Sequence, residues 1–371
     1  MSGEPVGAVT KRTVVLLFGG RSSEHGISCV TAAGVLRAID RDRFDVIPVG
    51  ITKTGATVLL DEAELQGYRL DAEGLPEVPE NGTRVLWPAS TETRALTVIE
   101  SDGRLRSLGR VDVVLPTLHG PYGEDGTVQG MLDLVDLPYV GCGVLSSALC
   151  MDKHALKVVL DAAGIPVAPW RTVTRSEMER DPALVSRLDD GLEYPLFVKP
   201  NRAGSSVGVS RVASADELPA ALDVAFAEDS LVLVESGIAG REVEIAVLQS
   251  RDGGTPRTSS VIGEIVFDGR DFYDFEAKYL GAAGVRLELP AQVAAAEFAA
   301  IRDAAVTAFE VAQCAGLARI DFFLTADGPV LNEINTLPGF TPISMYPRLW
   351  EESGLGYTEL ITELIELALG A

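Results

Sequence analysis

The chain has 371 residues, with 54 Asp or Glu against 31 Lys or Arg and a formal net charge of −23. That length suits two or three domains, and the acidic balance argues against nucleic acid and anionic membranes as partners. A polyanionic substrate would have to be captured by local cations or by metal, not by the overall field.

Val14-Val15-Leu16-Leu17-Phe18 is a continuous apolar run of the kind a buried parallel strand requires. After Gly19-Gly20-Arg21-Ser22-Ser23-Glu24-His25 we expect a helix over 27–38, with Ile27, Val30 and Gly34 facing inward, and a strand over 45–51. This order predicts an open α/β sheet. The three-glycine dinucleotide fingerprint is incomplete, which argues against a nicotinamide site. Glu24 stands where the first strand meets a helix and reads either as a ligand-facing group or as a helix cap. Residues 60–110 read as short strands and loops, and 111–116 as strand again. The following loop holds His119-Gly120-Pro121-Tyr122-Gly123-Glu124-Asp125-Gly126, where His119 either meets substrate or is hydrogen-bonded within the loop. A helix over 127–135 follows, and a domain boundary is expected near Gly141-Cys142-Gly143.

Residues 152–163 predict a helix with Leu156, Val159, Leu160 and Ala163 inward and Gly164 as its stop. Lys153 at its start either points away or holds an anion, because a cation is disfavoured at a helix N-terminus. The strand 194–200 ends in Lys199 and leads into the small-residue loop 201–209. A lysine before such a loop suits a polyphosphate, although an ordinary turn with a snorkelling lysine has the same pattern. The Walker-A spacing is absent. Ser214-Ala215-Asp216-Glu217 reads as a capping box, 231–235 as a buried strand, and 241–248 as a strand whose Glu242 and Glu244 share a solvated face. A strand over 261–266 precedes a long irregular loop, 268–290, whose aromatic residues suit a lid. A helix over 294–314 leads into the next hairpin, and an amphipathic helix over 357–369 closes the chain.

The hairpin is the centre of this reading. Strands around Ala318 to Leu324 and Val330 to Asn335 flank an Asp-Gly turn. A three-residue loop, Ala326 to Gly328 with Gly328 left-handed, sets Asp321 opposite Glu333 and Arg319 opposite Asn335. Ile320, Phe322 and Ile334 then point into a core. Two facing carboxylates repel unless a cation lies between them, so the polar face is either a magnesium site or a solvated surface with a salt bridge. Cys29, Cys142, Cys150 and Cys314 lack metal-ligand spacing and read as buried free thiols of a reducing cytoplasm. No apolar h-region stands near the N-terminus, and no apolar run is long enough to span a bilayer.

Taken in order, these motifs resemble the ATP-grasp superfamily, and within it the D-alanine–D-alanine ligases. The resemblance rests on 19–28, His119-Gly120 with 123–127, Met151-Asp152-Lys153, Val198-Lys199-Pro200, 204–208, 272–279, Arg319-Ile320-Asp321 and 332–339. It implies an α/β, three-domain ATP-grasp fold: 1–142 with an open parallel sheet binding the first substrate, then 143–236 and 237–371, two α+β domains that sandwich ATP, with the lid 268–290. It implies ligation of two D-alanines through an acyl phosphate, with release of ADP and phosphate, for peptidoglycan. By similarity, Lys153, Lys199 and Lys278 hold phosphates, Glu235 and Glu242 meet adenine and ribose, and Asp321, Glu333 and Asn335 bind two magnesium ions, with manganese as a substitute. Arg319 and the Gly339 N–H stabilise an oxyanion. Glu24, Ser205 and Tyr279 form a positioning trio, His119 contacts substrate and Ser344 takes the second substrate's carboxylate. The resemblance also implies a homodimer.

Relatives that make the D-alanyl-D-lactate ester commonly lack the lid tyrosine. Tyr279 stands here in an intact Ala-Lys-Tyr, which points to an amine as the second nucleophile. Tyr279→Phe is expected to raise D-lactate use relative to D-alanine, measured as the product ratio in a competition assay.

Overall fold

The computed structural model describes residues 11–70, 74–267 and 285–370, with the side chains of Phe267 and Val285 excluded. The chain separates into two compact units. One comprises 1–118, 129–140 and 356–371; the other comprises 119–128 and 141–355.

In the first unit, β1 (Arg12–Gly19) runs parallel to β2 (Phe44–Ile51) and to β7 (Val113–Pro116), as the apolar runs predict. The sheet order is β3-β2-β1-β7, with β3 (Thr57–Leu59) as an antiparallel edge. Val14 to Phe18 are all essentially inaccessible. Helix α1 (His25–Ala38) is buried on most of its surface, although Val30 is only half-buried. The 60–110 stretch contains α2 (Glu62–Gln66) and a small antiparallel sheet of β4 (Arg84–Leu86), β5 (Ala95–Ile99) and β6 (Leu105–Arg110). Helix α3 (Thr127–Leu134) follows close to its expected limits. The closing helix, expected in the third domain, groups with this unit: Thr358 Oγ1 donates to the Ala38 carbonyl at 2.8 Å, and Arg43 pairs with Glu366.

The loop after β1 needs glycine at its first position. Gly19 has φ +87°, and a Cβ there would lie 2.3 Å from the Ile51 carbonyl oxygen. Ser28 Oγ accepts from the Gly19 N–H at 2.8 Å and donates to the Thr117 carbonyl at 2.7 Å, fastening the loops after β1 and β7.

The second unit opens with α4 (Val144–Met151) and α5 (Lys153–Ala162). Its first sheet has the order β10-β9-β11-β8, from β8 (Trp170–Thr174), β9 (Leu196–Pro200), β10 (Ser210–Val212) and β11 (Leu231–Ser236). Leu196, Val198, Val232 and Val234 pack against Leu218, Leu222 and Ala225 of α7 (Leu218–Glu228), which follows the short helix α6 (Arg175–Arg180). The expected capping box before α7 does not form. Residues 215–217 are a 3-10 turn, and Glu217 accepts from the Ala213 N–H at 2.8 Å instead of the Ser214 N–H.

The second sheet is β15-β14-β12-β16-β17, with β13 (Arg257–Thr258) on β12 (Arg241–Leu248). Strand β14 (Gly263–Phe267) pairs with β15 (Val285–Glu288), so the expected irregular loop 268–290 is strand over 285–288. Helix α8 (Ala295–Val311) covers the apolar side with Ile301, Ala305, Ala308 and Phe309, which pack with Leu156 and Leu160 of α5. Ala163, an expected inward residue of α5, is exposed beyond its end, and Val159 is half-buried.

Strands β16 (Leu317–Thr325) and β17 (Gly328–Asn335) pair Asp321 with Glu333 and Arg319 with Asn335, as expected, but by another route. The turn has two residues, since Thr325 pairs with Gly328, and the extra residue is a bulge at Asn332, between the Phe322–Leu331 and Asp321–Glu333 pairs. The bulge lets Leu331 and Ile334 both enter the core while Glu333 stays on the polar face. Helix α9 (Met345–Glu352) then leads to α10 (Tyr357–Leu369). The four cysteines are unbridged, and among the described residues no helix is long and apolar enough to cross a membrane.

Phe322 is 1 % exposed at the centre of this core. Phe322→Ala is expected to destabilise the second unit by about 3–5 kcal/mol, read from the midpoint of chemical denaturation.

Candidate active site

The polar face of the hairpin sheet carries a row of three acids across three strands. Glu244 on β12 pairs with Asp321, and Asp321 pairs with Glu333. Glu244 and Asp321 are buried, so the solvated face expected for β12 is not what forms. Arg319 makes a bidentate contact to Asp321, Nε to Oδ1 at 2.8 Å and an NH2 group to Oδ2 at 2.7 Å, and its Nε lies 3.2 Å from Glu244 Oε2. Asn335 Nδ2 donates to Asp321 Oδ2 at 3.0 Å. Burial alone would lower the Arg319 pKa, but Asp321, Glu244 and Glu333 overcome that and hold it well above its usual range.

Among the described residues, one guanidinium thus faces three carboxylates. The donors are hard oxygens, which fit magnesium. Among the described residues no three acidic, histidine or cysteine side chains stand as a ready-made cage. Two acids and an amide are enough for an ion that completes its shell with phosphate oxygens and water.

A second cluster has the opposite sign. Lys199 on β9 and Glu235 on β11 are diagonal neighbours on the face turned away from α7. The Glu235 carboxylate is shared: Oε1 pairs with Lys199, and Oε2 lies 3.0 Å from Nζ of Lys157 on α5. Burial pushes the Glu235 carboxyl up, but the two lysines outweigh it and bring it down to about 2. Burial lowers the Lys157 pKa, and Glu235 offsets only part of that. Phe197 and Trp170 lie opposite Glu235 on the flanking strands, with Lys199 Nζ 5.6 Å from the Phe197 ring and Lys157 Nζ 5.6 Å from the Trp170 ring.

The start of α5 is tied to the loop after β9. Asn201 is fully buried; its side-chain oxygen accepts from the His154 N–H at 2.9 Å, and its carbonyl accepts from the Lys153 N–H at 3.2 Å. Lys153 Nζ donates to the Ala203 carbonyl at 2.7 Å, so this lysine turns into the loop, and Asp152 caps the helix. Ser205 and Ser206 have φ of 50° and 60° there. The loop returns at Gly208, φ +72°, where a Cβ would meet Pro200 and Glu228 side-chain atoms at 2.7 and 2.9 Å.

His119 is buried, and its Nδ1 donates to the Leu337 carbonyl at 3.2 Å, just after β17. Two residues further, a Cβ on Gly339 would lie 3.2 Å from Ser344 Oγ, which accepts from the Thr341 N–H at 3.1 Å. The second unit therefore brings His119, Gly339 and Ser344 around one turn, Lys153 and Ser205 around one loop, and Arg319, Asp321, Glu333 and Asn335 onto one face. Glu242 is half-buried on β12. Glu24 belongs to the first unit, where it is buried and its side chain makes no helix-capping bond. Lys278 and Tyr279 lie outside the described residues. Sequence reasoning passed over Lys157 and read Glu244 as solvated. A lysine beside Leu156 and Leu160, four residues after Lys153, was the available signal for the first.

The family models described as D-ala D-ala ligase N-terminus and D-ala D-ala ligase C-terminus match residues 13–142 and 159–366. A D-alanine--D-alanine ligase of Pseudarthrobacter chlorophenolicus is 50% identical over 371 residues, covering 99% of this chain and 96% of its own. Among solved structures, the VanG D-Ala:D-Ser ligase from Enterococcus faecalis aligns with a TM-score of 0.81 and 34% identity, covering 97% of this chain and 100% of its own. A D-alanine--D-alanine ligase from Bacillus anthracis complexed with ATP aligns with a TM-score of 0.69 and 26% identity, over 96% of this chain and 97% of its own. These neighbours have the ATP-grasp fold, and so does this chain.

The ionised Glu235 carries a pH signature. Its folded pKa lies below the usual 4.5, so its stabilising contribution is full above that value and is lost as pH falls toward about 2. Glu235→Gln is expected to lower the melting temperature at neutral pH, and the gap from wild type should narrow steadily on acidification through that window.

Proposed function

Because the chain belongs to the D-alanine–D-alanine ligase family, whose two models and curated relatives span nearly all of it, we propose that it joins two D-alanines through a D-alanyl phosphate for peptidoglycan precursor synthesis. It is an ATP-dependent ligase. The observations that best support the finer reading are the acid row on the hairpin and the loop that follows Lys199 and is stitched to Lys153.

In this reading Lys153 and Lys199, with Lys278, hold the phosphates of ATP. Asp321, Glu333 and Asn335 would hold two magnesium ions, or manganese, which when bound neutralise charge on the transferred phosphoryl group. The first D-alanine's carboxylate oxygen bonds to the γ-phosphorus as the bridge to ADP breaks. The second D-alanine's amine then attacks the acyl carbon and loses a proton. Arg319 and the Gly339 N–H receive the negative oxygen of the tetrahedral species, which expels phosphate. Glu24 holds the first substrate's ammonium and works with Ser205 and Tyr279, while His119 supports that substrate. Ser344 takes the second substrate's carboxylate, and Glu242 takes the ribose. Glu235 meets the adenine amino group; each of its oxygens is also engaged by one lysine and keeps a second acceptor site for that contact. We keep the division into 1–142, 143–236 and 237–371, the homodimer and the cytoplasmic location as parts of the same proposal.

The D-Ala:D-Ser ligase among the structural neighbours favours a second reading, with D-serine as nucleophile. The 50% identity to a D-alanine--D-alanine ligase favours the first.

ADP and phosphate should be released with D-alanine and magnesium, but not with L-alanine or without divalent metal. Equal or better turnover with D-serine as the second substrate would transfer the assignment to the second reading. Asp321→Asn is expected to lower turnover by about 10²–10³-fold while the protein still melts cooperatively.

A further inference from the structure

Glu235 is one buried carboxylate with two ammonium partners, where one would balance it. The two lysines are held differently. Lys157 is 6% exposed at its side chain; besides Glu235 it donates to the Ala168 carbonyl at 3.2 Å and lies over the Trp170 ring. That ring is itself fixed, since Trp170 Nε1 donates to His154 Nδ1 at 3.0 Å. Lys199 is 16% exposed, sits at the end of its strand and faces Glu235 and the Phe197 ring.

We propose that Lys157 is a positioning residue that acts through Glu235: it is the fixed counter-ion of the carboxylate, which frees Lys199 to move its ammonium onto a phosphate oxygen of ATP. The inference rests on the reading of Lys199 as a phosphate-binding lysine. Without Lys157, Glu235 and Lys199 form a neutral, buried one-to-one pair. Moving Lys199 to a nucleotide would then leave an uncompensated carboxylate in the interior, a costly state. With Lys157 in place, the cluster keeps a positive excess before ATP arrives, and Glu235 stays matched after Lys199 leaves. A redundant pair of lysines thereby becomes a fixed one and an exchangeable one.

The test is equilibrium binding of ATP with magnesium by calorimetry, in the full chain, for wild type, Lys157→Met, Lys157→Arg, Glu235→Gln and the double variant K157M/E235Q. Lys157→Met is expected to weaken ATP binding at least about tenfold, and Lys157→Arg to stay within about threefold of wild type. The double variant should recover most of the loss, because removing the carboxylate's charge releases Lys199. A merely structural role predicts no such rescue, since the second substitution would only add damage. If Lys157→Met does not fold, Lys157→Gln, which keeps a donor for the Ala168 carbonyl without the charge, takes its place. Wild-type affinity in the uncharged variant, or a double variant no better than the single one, would overturn this inference alone. Absence of ATP binding by the wild type would overturn the ligase reading and this inference with it.

Discussion

The structure around the candidate site depends on one constraint: a carboxylate taken out of water must be matched by a cation. The second unit meets it twice. On the hairpin sheet, Arg319 is the described cation that faces Glu244, Asp321 and Glu333, beside the residues proposed to seat a divalent ion. On the neighbouring sheet, Lys157 and Lys199 face Glu235, so positive charge is left over where a phosphate would be seated. A strongly acidic chain can bind a polyanion only through such local surpluses. Each cluster is held by elements with a large apolar core on their other side, so the charges have little freedom to rearrange.

The fold was legible where apolar pattern and chemistry agree. The run at Val14 to Phe18 is typical of a strand buried on both faces, and the alternation at Arg319, Ile320, Asp321 and Phe322 marked both the core side and the polar side of the hairpin. What escaped was information carried by distant partners. Glu244 alternates like a solvent-facing residue, and only the pairing of β12 with β16 buries it beside Arg319. Lys157 lies between Leu156 and Leu160 on α5, and its partner Glu235 is far along the chain. The turn illustrates a different limit. A three-residue loop and a two-residue turn with a later bulge give the same Asp321–Glu333 pair, and nothing local distinguishes them. The capping pattern at Ser214 failed because the first turn tightened to 3-10 geometry, which moves Glu217 within reach of a different backbone N–H.

The site's small residues are placed for what lies behind them as much as for any ligand. Gly208 brings the loop back against Pro200 and Glu228, and Gly339 closes on Ser344. Asn201, with no exposure, joins the start of α5 to this loop through its own backbone and side chain. The loop's shape is therefore imposed by the helix and strand on either side of it; in the proposed reading a phosphate meets a loop already shaped rather than one that must be ordered on binding.

The extra residue at Asn332 has a further consequence. It resets the alternation of β17, so a tip closed by two residues still leaves Glu333 and Asn335 on the polar side of the sheet. An unbroken ladder closed by the same tip would set Asn332 opposite Asp321 and turn Glu333 toward the core.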